Sequence, residues 1–296
     1  MCGLAGIILK QKNRDNEALN RVSESFTEML TEADMRGGHA TGFALIDKFG
    51  DYVICKRPKD AYGFFTDEDV KDNFNLVYDG ITVMMGHTRY ATLGSPSVNK
   101  NNHPIRTGHT IGTHNGSISN HKELFHKYDM ERYAQVDSEA IFRLYETSSS
   151  LDDFLNNRLP KVKGRVAIVW ADLEQPDYIY MVKANNPIQM IYVPEYECYA
   201  YGSTDDIINA GFWGNYEHIT IKPNTMIRIN TKTLEIDKKK IEISKPKINK
   251  YSFYDEKIGA YKDKKETVSN FVPRFSYSDQ LKMFKTSDGS IIRKVK

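Results

Sequence analysis

The chain has 296 residues, 40% of them hydrophobic, and a net charge of +2; this suits one large domain or a domain with an appendage. Its three cysteines, Cys2, Cys55 and Cys198, show no CxxC pairing, so neither a disulfide framework nor a metal site is expected. No stretch approaches the ~20 apolar residues of a membrane span, and Leu4 to Leu9 is too short and lacks the basic flank of a signal peptide, so a cytoplasmic protein without membrane partners is expected.

In chain order, the first feature is Met1-Cys2-Gly3-Leu4-Ala5-Gly6-Ile7. A small second residue permits removal of Met1, which would leave Cys2 with a thiol and a free α-amine. Thiolate is the attacking form of cysteine, and an α-amine titrating at about 7.7–8.0 can take the thiol proton near neutral pH. One residue would then supply both nucleophile and base. A second-position cysteine with no role remains the plain alternative. Leu4 to Leu9 reads as a buried strand with Cys2 at its mouth.

From Glu17 to Ala33, apolar residues recur at helical spacing (Leu19, Val22, Phe26, Met29, Leu30), and Arg36-Gly37-Gly38-His39-Ala40-Thr41-Gly42 interrupts the pattern with glycines. Phe43–Asp47 and Tyr52–Lys56 predict a hairpin, and Asp67–Phe74 an acidic helix. A strand over Ile81–Met85 runs into Gly86-His87-Thr88-Arg89-Tyr90-Ala91-Thr92-Leu93-Gly94. After a polar loop ending in His103-Pro104, a strand over Thr110–Thr113 delivers His114-Asn115-Gly116. Asn-Gly is also a strong turn dipeptide, so a simple turn stays open there. Helices are expected from Asn120 to Tyr128 and from Asp137 or Ser138 onward. Then come strands at Arg165–Ala171, Tyr178–Val182, Ile188–Val193 and Tyr199–Gly202, a helix at Asp205–Ala210, and strands at Ile219–Ile221 and Met226–Ile229. Strand runs split by helix pairs predict an α+β sandwich of stacked sheets between helical layers.

Taken together and in this order, these motifs resemble the class II glutamine amidotransferases, whose glutaminase domain is of the N-terminal nucleophile hydrolase type. Cys2-Gly3-Leu4-Ala5-Gly6 resembles the family's start, and the 36–42 stretch its Arg-Gly-x-Asp-Ser-x-Gly segment. The 86–94 stretch resembles the His-Thr-Arg-Trp-Ala-Thr-His-Gly of the glucosamine-6-phosphate synthase branch, although Tyr90 is closer to the amidophosphoribosyltransferase branch. His103-Pro104, His114-Asn115-Gly116, Asp137-Ser138-Glu139 and Gly202-Ser203-Thr204-Asp205 follow in family order. The resemblance covers roughly residues 2–230 and implies a four-layer αββα sandwich.

It also implies the chemistry of glutamine hydrolysis: Cys2 as nucleophile and base, Asn115 and the Gly116 N–H as oxyanion donors, Arg89 forked onto the α-carboxylate of L-glutamine, and Asp137 on its α-ammonium. Thr92 and His87 would shape the carboxylate pocket. No cofactor or metal is implied. His39, Ala40 and Leu93 depart from the family pattern, which puts the closing of the substrate loops in question.

Two regions are therefore expected, a glutaminase domain over 2–235 and an extension over 236–296. The extension carries 14 Lys and 2 Arg against 8 acidic residues, a net of +8, with eight Tyr or Phe residues. Those 61 residues are too few for a synthase domain, and neither GxxxxGK[ST] nor GxGxxG occurs. The ammonia acceptor is accordingly expected on a separate synthase or acceptor-binding protein, docked in part by the extension; nucleic acid is not the expected partner. The readings that compete are a γ-glutamyl hydrolase acting on an amide other than glutamine, and a non-catalytic binding module on the same fold.

Overall fold

The computed structural model describes residues 1–75 and 77–243, together with the backbone of 291–294. Most of the basic, aromatic extension lies outside the described residues.

Among the described residues, fourteen strands form two antiparallel sheets. The eight-stranded sheet contains β1 (Gly3–Leu9), β2 (Ala40–Asp47), β3 (Tyr52–Arg57) and β4 (Ile81–Arg89). The six-stranded sheet begins with β5 (Ile105–Arg106) and β6 (Thr110–Ile118), and continues with β7 (Gly164–Asp172) and β8 (Tyr178–Lys183). Strands β9 (Gln189–Val193), β10 (Cys198–Gly202) and β11 (Glu217–His218) belong to the larger sheet, β12 (Thr225–Asn230) and β13 (Ile236–Lys240) to the smaller, and β14 (Ile291–Lys294) again to the larger. The orders are β11-β9-β10-β1-β4-β2-β3-β14 and β13-β12-β8-β7-β6-β5.

Helices α1 (Asn16–Glu32), α2 (Ala61–Phe65) and α3 (Glu68–Phe74) precede β4; α4 (His121–Lys127), α5 (Glu139–Glu146) and α6 (Leu151–Asp153) lie between β6 and β7; α7 (Asp205–Gly211) follows β10. Helix α1 is started by Asp15, whose side chain accepts from the Ala18 N–H at 2.8 Å.

The layering follows from the two-residue side-chain period of the strands. In β1, Ala5, Ile7 and Leu9 pack with Leu19, Val22, Phe26 and Met29 of α1, whereas Leu4 and Ile8 face the second sheet. In β7, Ala167, Val169 and Ala171 face the first sheet, and Val166, Ile168 and Trp170 pack under α5 with Ile141 and Phe142. Apolar residues on both faces of both sheets require a helical cover outside each, so the molecule is the expected four-layer αββα sandwich.

The structure revises several local expectations. Strand β4 continues through His87 to Arg89 instead of ending at Met85, and β6 runs through His114-Asn115-Gly116 to Ile118. The Asn-Gly pair is thus not a turn: Asn115 and Gly116 sit opposite Ala167 and Val166 of β7. The strand expected at Ile219–Ile221 is displaced to Glu217–His218. Asn120 precedes α4, but its amide donates to the Lys161 carbonyl instead of capping the helix. The helical segment from Leu151 to Lys161 and strand β13 lie where the sequence pattern predicts neither helix nor strand.

Candidate active site

The ends of β1, β4 and β6 meet at one edge of the sandwich. Residue Gly3 is paired with Thr88, so Cys2 lies beside the end of β4. A pocket there is lined by Cys2, Arg89, Thr92, Gly116 and Asp137 of the residues picked from the sequence, and by Tyr90, Leu93, His103, His114, Val136 and Ser138 besides.

The Cys2 thiol is part-buried, and the Tyr90 N–H donates to its sulfur at 3.4 Å. Burial pushes the thiol up from its ordinary value, opposed by the Tyr90 backbone bond and the nearby Arg89 charge. Arg36 donates from Nε to the Cys2 carbonyl at 3.2 Å, tying the first residues to the loop after α1. Met1 is 56% exposed, and with it attached the Cys2 nitrogen is an amide.

Arg89 ends β4 with a buried side chain. Its guanidinium donates to Asn102 Oδ1 at 2.8 Å and to the Leu93 and Gly94 carbonyls at 2.6 and 2.8 Å. The loop after β4 therefore folds back over its own arginine and fixes the orientation of the fork. Asp137 comes from the segment before α5 and accepts from the Ile118 N–H at 2.5 Å. Cation and carboxylate thus reach the pocket from different sheets' connections, with the thiol beside them.

Asn115 and His87 stand behind the pocket and not among its lining residues. Asn115 points between the sheets, where its Nδ2 donates to Ser203 Oγ at 3.4 Å and its carbonyl accepts from Asn186 at 2.8 Å. The same Ser203 hydroxyl accepts from the Leu4 N–H at 2.9 Å, which links β6 to the strand that carries Cys2. His87 shares the face of Arg89 on β4 but lies one pleat deeper. Its Nε2 donates to the His114 carbonyl at 3.2 Å, and its ring stacks on His103 with centroids 4.2 Å apart. Burial lowers His87 to about 3 and holds His103 well below the ordinary histidine range, so both are neutral at physiological pH.

His114, which the sequence marks only as part of a motif, borders the pocket. Its Nε2 faces the Arg165 carbonyl at 3.1 Å and must donate; its Nδ1 lies 2.8 Å from Ser138 Oγ and accepts. Burial lowers its pKa, in keeping with this neutral tautomer. A side chain at Gly116 would collide with the Arg165 carbonyl oxygen, so only glycine permits β6 and β7 to approach at this point. His103, His114 and Ser138 carry no spacing signal of their own; only the motifs in which they sit point to them.

Among the described residues, one group of metal-ligand type, His109, Asp172 and Glu174, lies apart from this pocket. Its His109 Nδ1 is already 2.9 Å from Asp172. No helix among the described residues is long and apolar enough to cross a membrane.

No family model matches the chain. Over 195 residues it is 29% identical to the glutamine–fructose-6-phosphate aminotransferase (isomerizing) of Geobacillus kaustophilus, a match covering 64% of this chain and 30% of that protein. The corresponding enzyme of Clostridium tetani is 30% identical over 195 residues, covering 64% of this chain and 29% of that protein. The chain thus spans about a third of the length of these curated relatives. The fold is similar to that of the glutamine phosphoribosylpyrophosphate amidotransferase from B. subtilis, with a TM-score of 0.64 and 17% identity over 82% of this chain and 50% of that one. The sequence comparison bears out the resemblance to class II glutamine amidotransferases read from the motifs, and the structural comparison bears out the expected fold.

Proposed function

We propose that this chain, similar in sequence and fold to class II glutaminase domains, hydrolyses the side-chain amide of L-glutamine to glutamate and ammonia. The observation that carries the reading is one pocket lined at once by a thiol, a guanidinium and a carboxylate: Cys2, Arg89 and Asp137. A free amino acid presents an α-carboxylate and an α-ammonium together. Opposite charges on either side of a nucleophile select such a substrate over a glutamine within a peptide.

In this reaction Met1 is first removed. The α-amine of Cys2 takes the thiol proton, and Sγ attacks the γ-carbonyl carbon. Negative charge on the carbonyl oxygen meets the Gly116 N–H and the Asn115 amide, the latter swinging from its long contact with Ser203. Collapse breaks the C–N bond, the proton passes from the α-ammonium to the leaving nitrogen, and ammonia departs. Water then attacks the thioester carbonyl, which releases glutamate and restores the thiol. Arg89 and Asp137 bind the α-groups throughout, with Thr92 beside the carboxylate and His87 supporting Arg89's strand from behind.

The relatives' names attach an amino-transfer step to glutamine. For this chain, ammonia delivery to an acceptor held by a partner protein is the corresponding step, with residues 236–296 as part of the docking surface. The test of the core activity is direct. Purified chain should release glutamate and ammonia from L-glutamine in equal amounts, and Cys2→Ala should abolish both while leaving thermal unfolding unchanged. Hydrolysis of another γ-glutamyl amide with glutamine untouched would favour the γ-glutamyl hydrolase reading.

A further inference from the structure

His39 lies outside the pocket lining, yet three of its contacts converge on the loop that forms the pocket's mouth. Its backbone N–H donates to the Arg89 carbonyl at 3.0 Å. Its Nδ1 accepts from the Ala91 N–H at 3.0 Å, so that ring nitrogen carries no proton in this arrangement. Its ring stacks on Tyr90 with centroids 4.8 Å apart and planes inclined by 27°. The residues so held, Arg89 to Ala91, are consecutive; Tyr90 among them touches the nucleophile, and the loop they open carries the carbonyls that hold the arginine. Tyr90 donates its N–H to Cys2 Sγ, and the same loop's Leu93 and Gly94 carbonyls grip Arg89.

His39 is itself held firmly. Gly38 takes a φ of +88°, and at Gly37 a Cβ would lie 2.5 Å from the Thr88 carbonyl carbon, so the two glycines let this segment lie against β4. The imidazole is therefore presented by a fixed backbone and adds an acceptor to the start of the loop, at Ala91, where the Arg89 contacts with Leu93 and Gly94 do not reach.

We infer that His39 is a positioning residue: it fixes the Tyr90–Gly94 loop so that the Tyr90 N–H points at the Cys2 sulfur. Without the Nδ1 acceptor the Ala91 N–H turns to water, the loop loosens, and the thiolate loses its backbone donor. This deepens the glutaminase reading and rests on it for the reaction served, although the effect on the thiol does not depend on the substrate.

Two measurements on the full chain test it. The first is the rate of Cys2 alkylation by iodoacetamide, read by peptide mass spectrometry on His39→Ala, His39→Gln and His39→Asn. Asparagine places its oxygen near the position of Nδ1, whereas glutamine reaches the position of Nε2. Alanine and glutamine should each slow alkylation by about three- to tenfold, and asparagine should recover most of the rate. Equal slowing in all three variants, or no slowing in any, overturns the inference. The Asn–Gln pair keeps the comparison sound if the alanine variant fails to fold. The second measurement is glutamine hydrolysis by the same proteins. A wild type inert towards glutamine that still shows the alkylation pattern removes the glutaminase reading and leaves the role of His39 standing. An active wild type without the pattern removes that role alone.

Discussion

At the scale of residues, the roles proposed for Arg89 and Asn115 separate binding from chemistry. Arg89 would hold the α-carboxylate equally in ground and transition states, so Arg89→Ala should raise KM by roughly 10- to 100-fold with a smaller change in kcat. Asn115 would bond an oxygen only as charge develops on it, so Asn115→Ala should lower kcat by roughly 100-fold or more. Steady-state kinetics on the two variants decides this, and matching profiles would contradict the assigned roles. Asp34 gives a pH signature of a different kind. Burial raises its carboxyl to about 6, partly offset by the Ala61 N–H bond at 2.5 Å and reinforced by Asp60. The folded state thus binds this proton more tightly than the unfolded chain, and the associated stability is present below about pH 4 and lost as pH rises through 6. Asp34→Asn should therefore melt higher than wild type at pH 7.5, with the difference vanishing near pH 4. A variant that is less stable at pH 7.5 would show that the carboxylate is a net stabiliser there. The thiol, the arginine and the aspartate were legible in the sequence because each belongs to a motif with a chemical reason for its residue type. Ser203 as the link between Asn115 and β1, and His39 as the support of the mouth, were not. Both act through contacts between residues far apart in the chain.

At the scale of elements, the informative case is β6. Read as a short strand ending in a turn, His114-Asn115-Gly116 would place an asparagine at an exposed bend. In the structure the strand continues and the alternation of its side chains divides the labour. His114 reaches Ser138 on the helical side, whereas Asn115 faces the other sheet and Ser203. A local turn preference is overridden by nine residues of pairing with β7. Because a Cβ at Gly116 meets backbone and not a movable side chain, Gly116→Ala should force β6 and β7 apart. An overpacking cost on the order of 1–3 kcal/mol, hence a Tm lower by roughly 2–10 °C, is expected by calorimetry, with activity lost in parallel. An unchanged Tm would mean that the strands yield freely at this point. The long strands and α1 were legible because their apolar periods are clean. The Leu151–Lys161 segment was missed for the opposite reason: it mixes α, π and 3-10 turns, so no single period persists.

At the scale of the whole molecule, the sandwich gathers three strand ends from two sheets around Cys2, which motif order implied and no local pattern could show. The boundary expected at Glu235 meets a continuous sheet: β13 starts at Ile236 and pairs with β12, and Ile241 and Ile243 join the core beneath α5. Strand β14 adds to the far edge of the other sheet, against β3. Removal of everything after Glu235 would therefore strip both β13 and β14, whereas a cut after Ile243 keeps the six-stranded sheet whole and removes only the edge strand β14 while testing partner docking. The extension's sequence gave no warning of either strand because its lysines and aromatics follow no two-residue alternation. The residue that precedes the first strand, Cys2, is the proposed nucleophile around which the three strand ends converge. The most direct measurement is peptide-resolved mass spectrometry of active protein treated with a glutamine analogue bearing a γ-diazoketone. Cys2 as nucleophile predicts an N-terminal peptide that lacks Met1 and carries one label, with Cys55 and Cys198 unmodified and hydrolysis lost in proportion to labelling. Label on another residue, or full activity with Met1 retained on every chain, would contradict it.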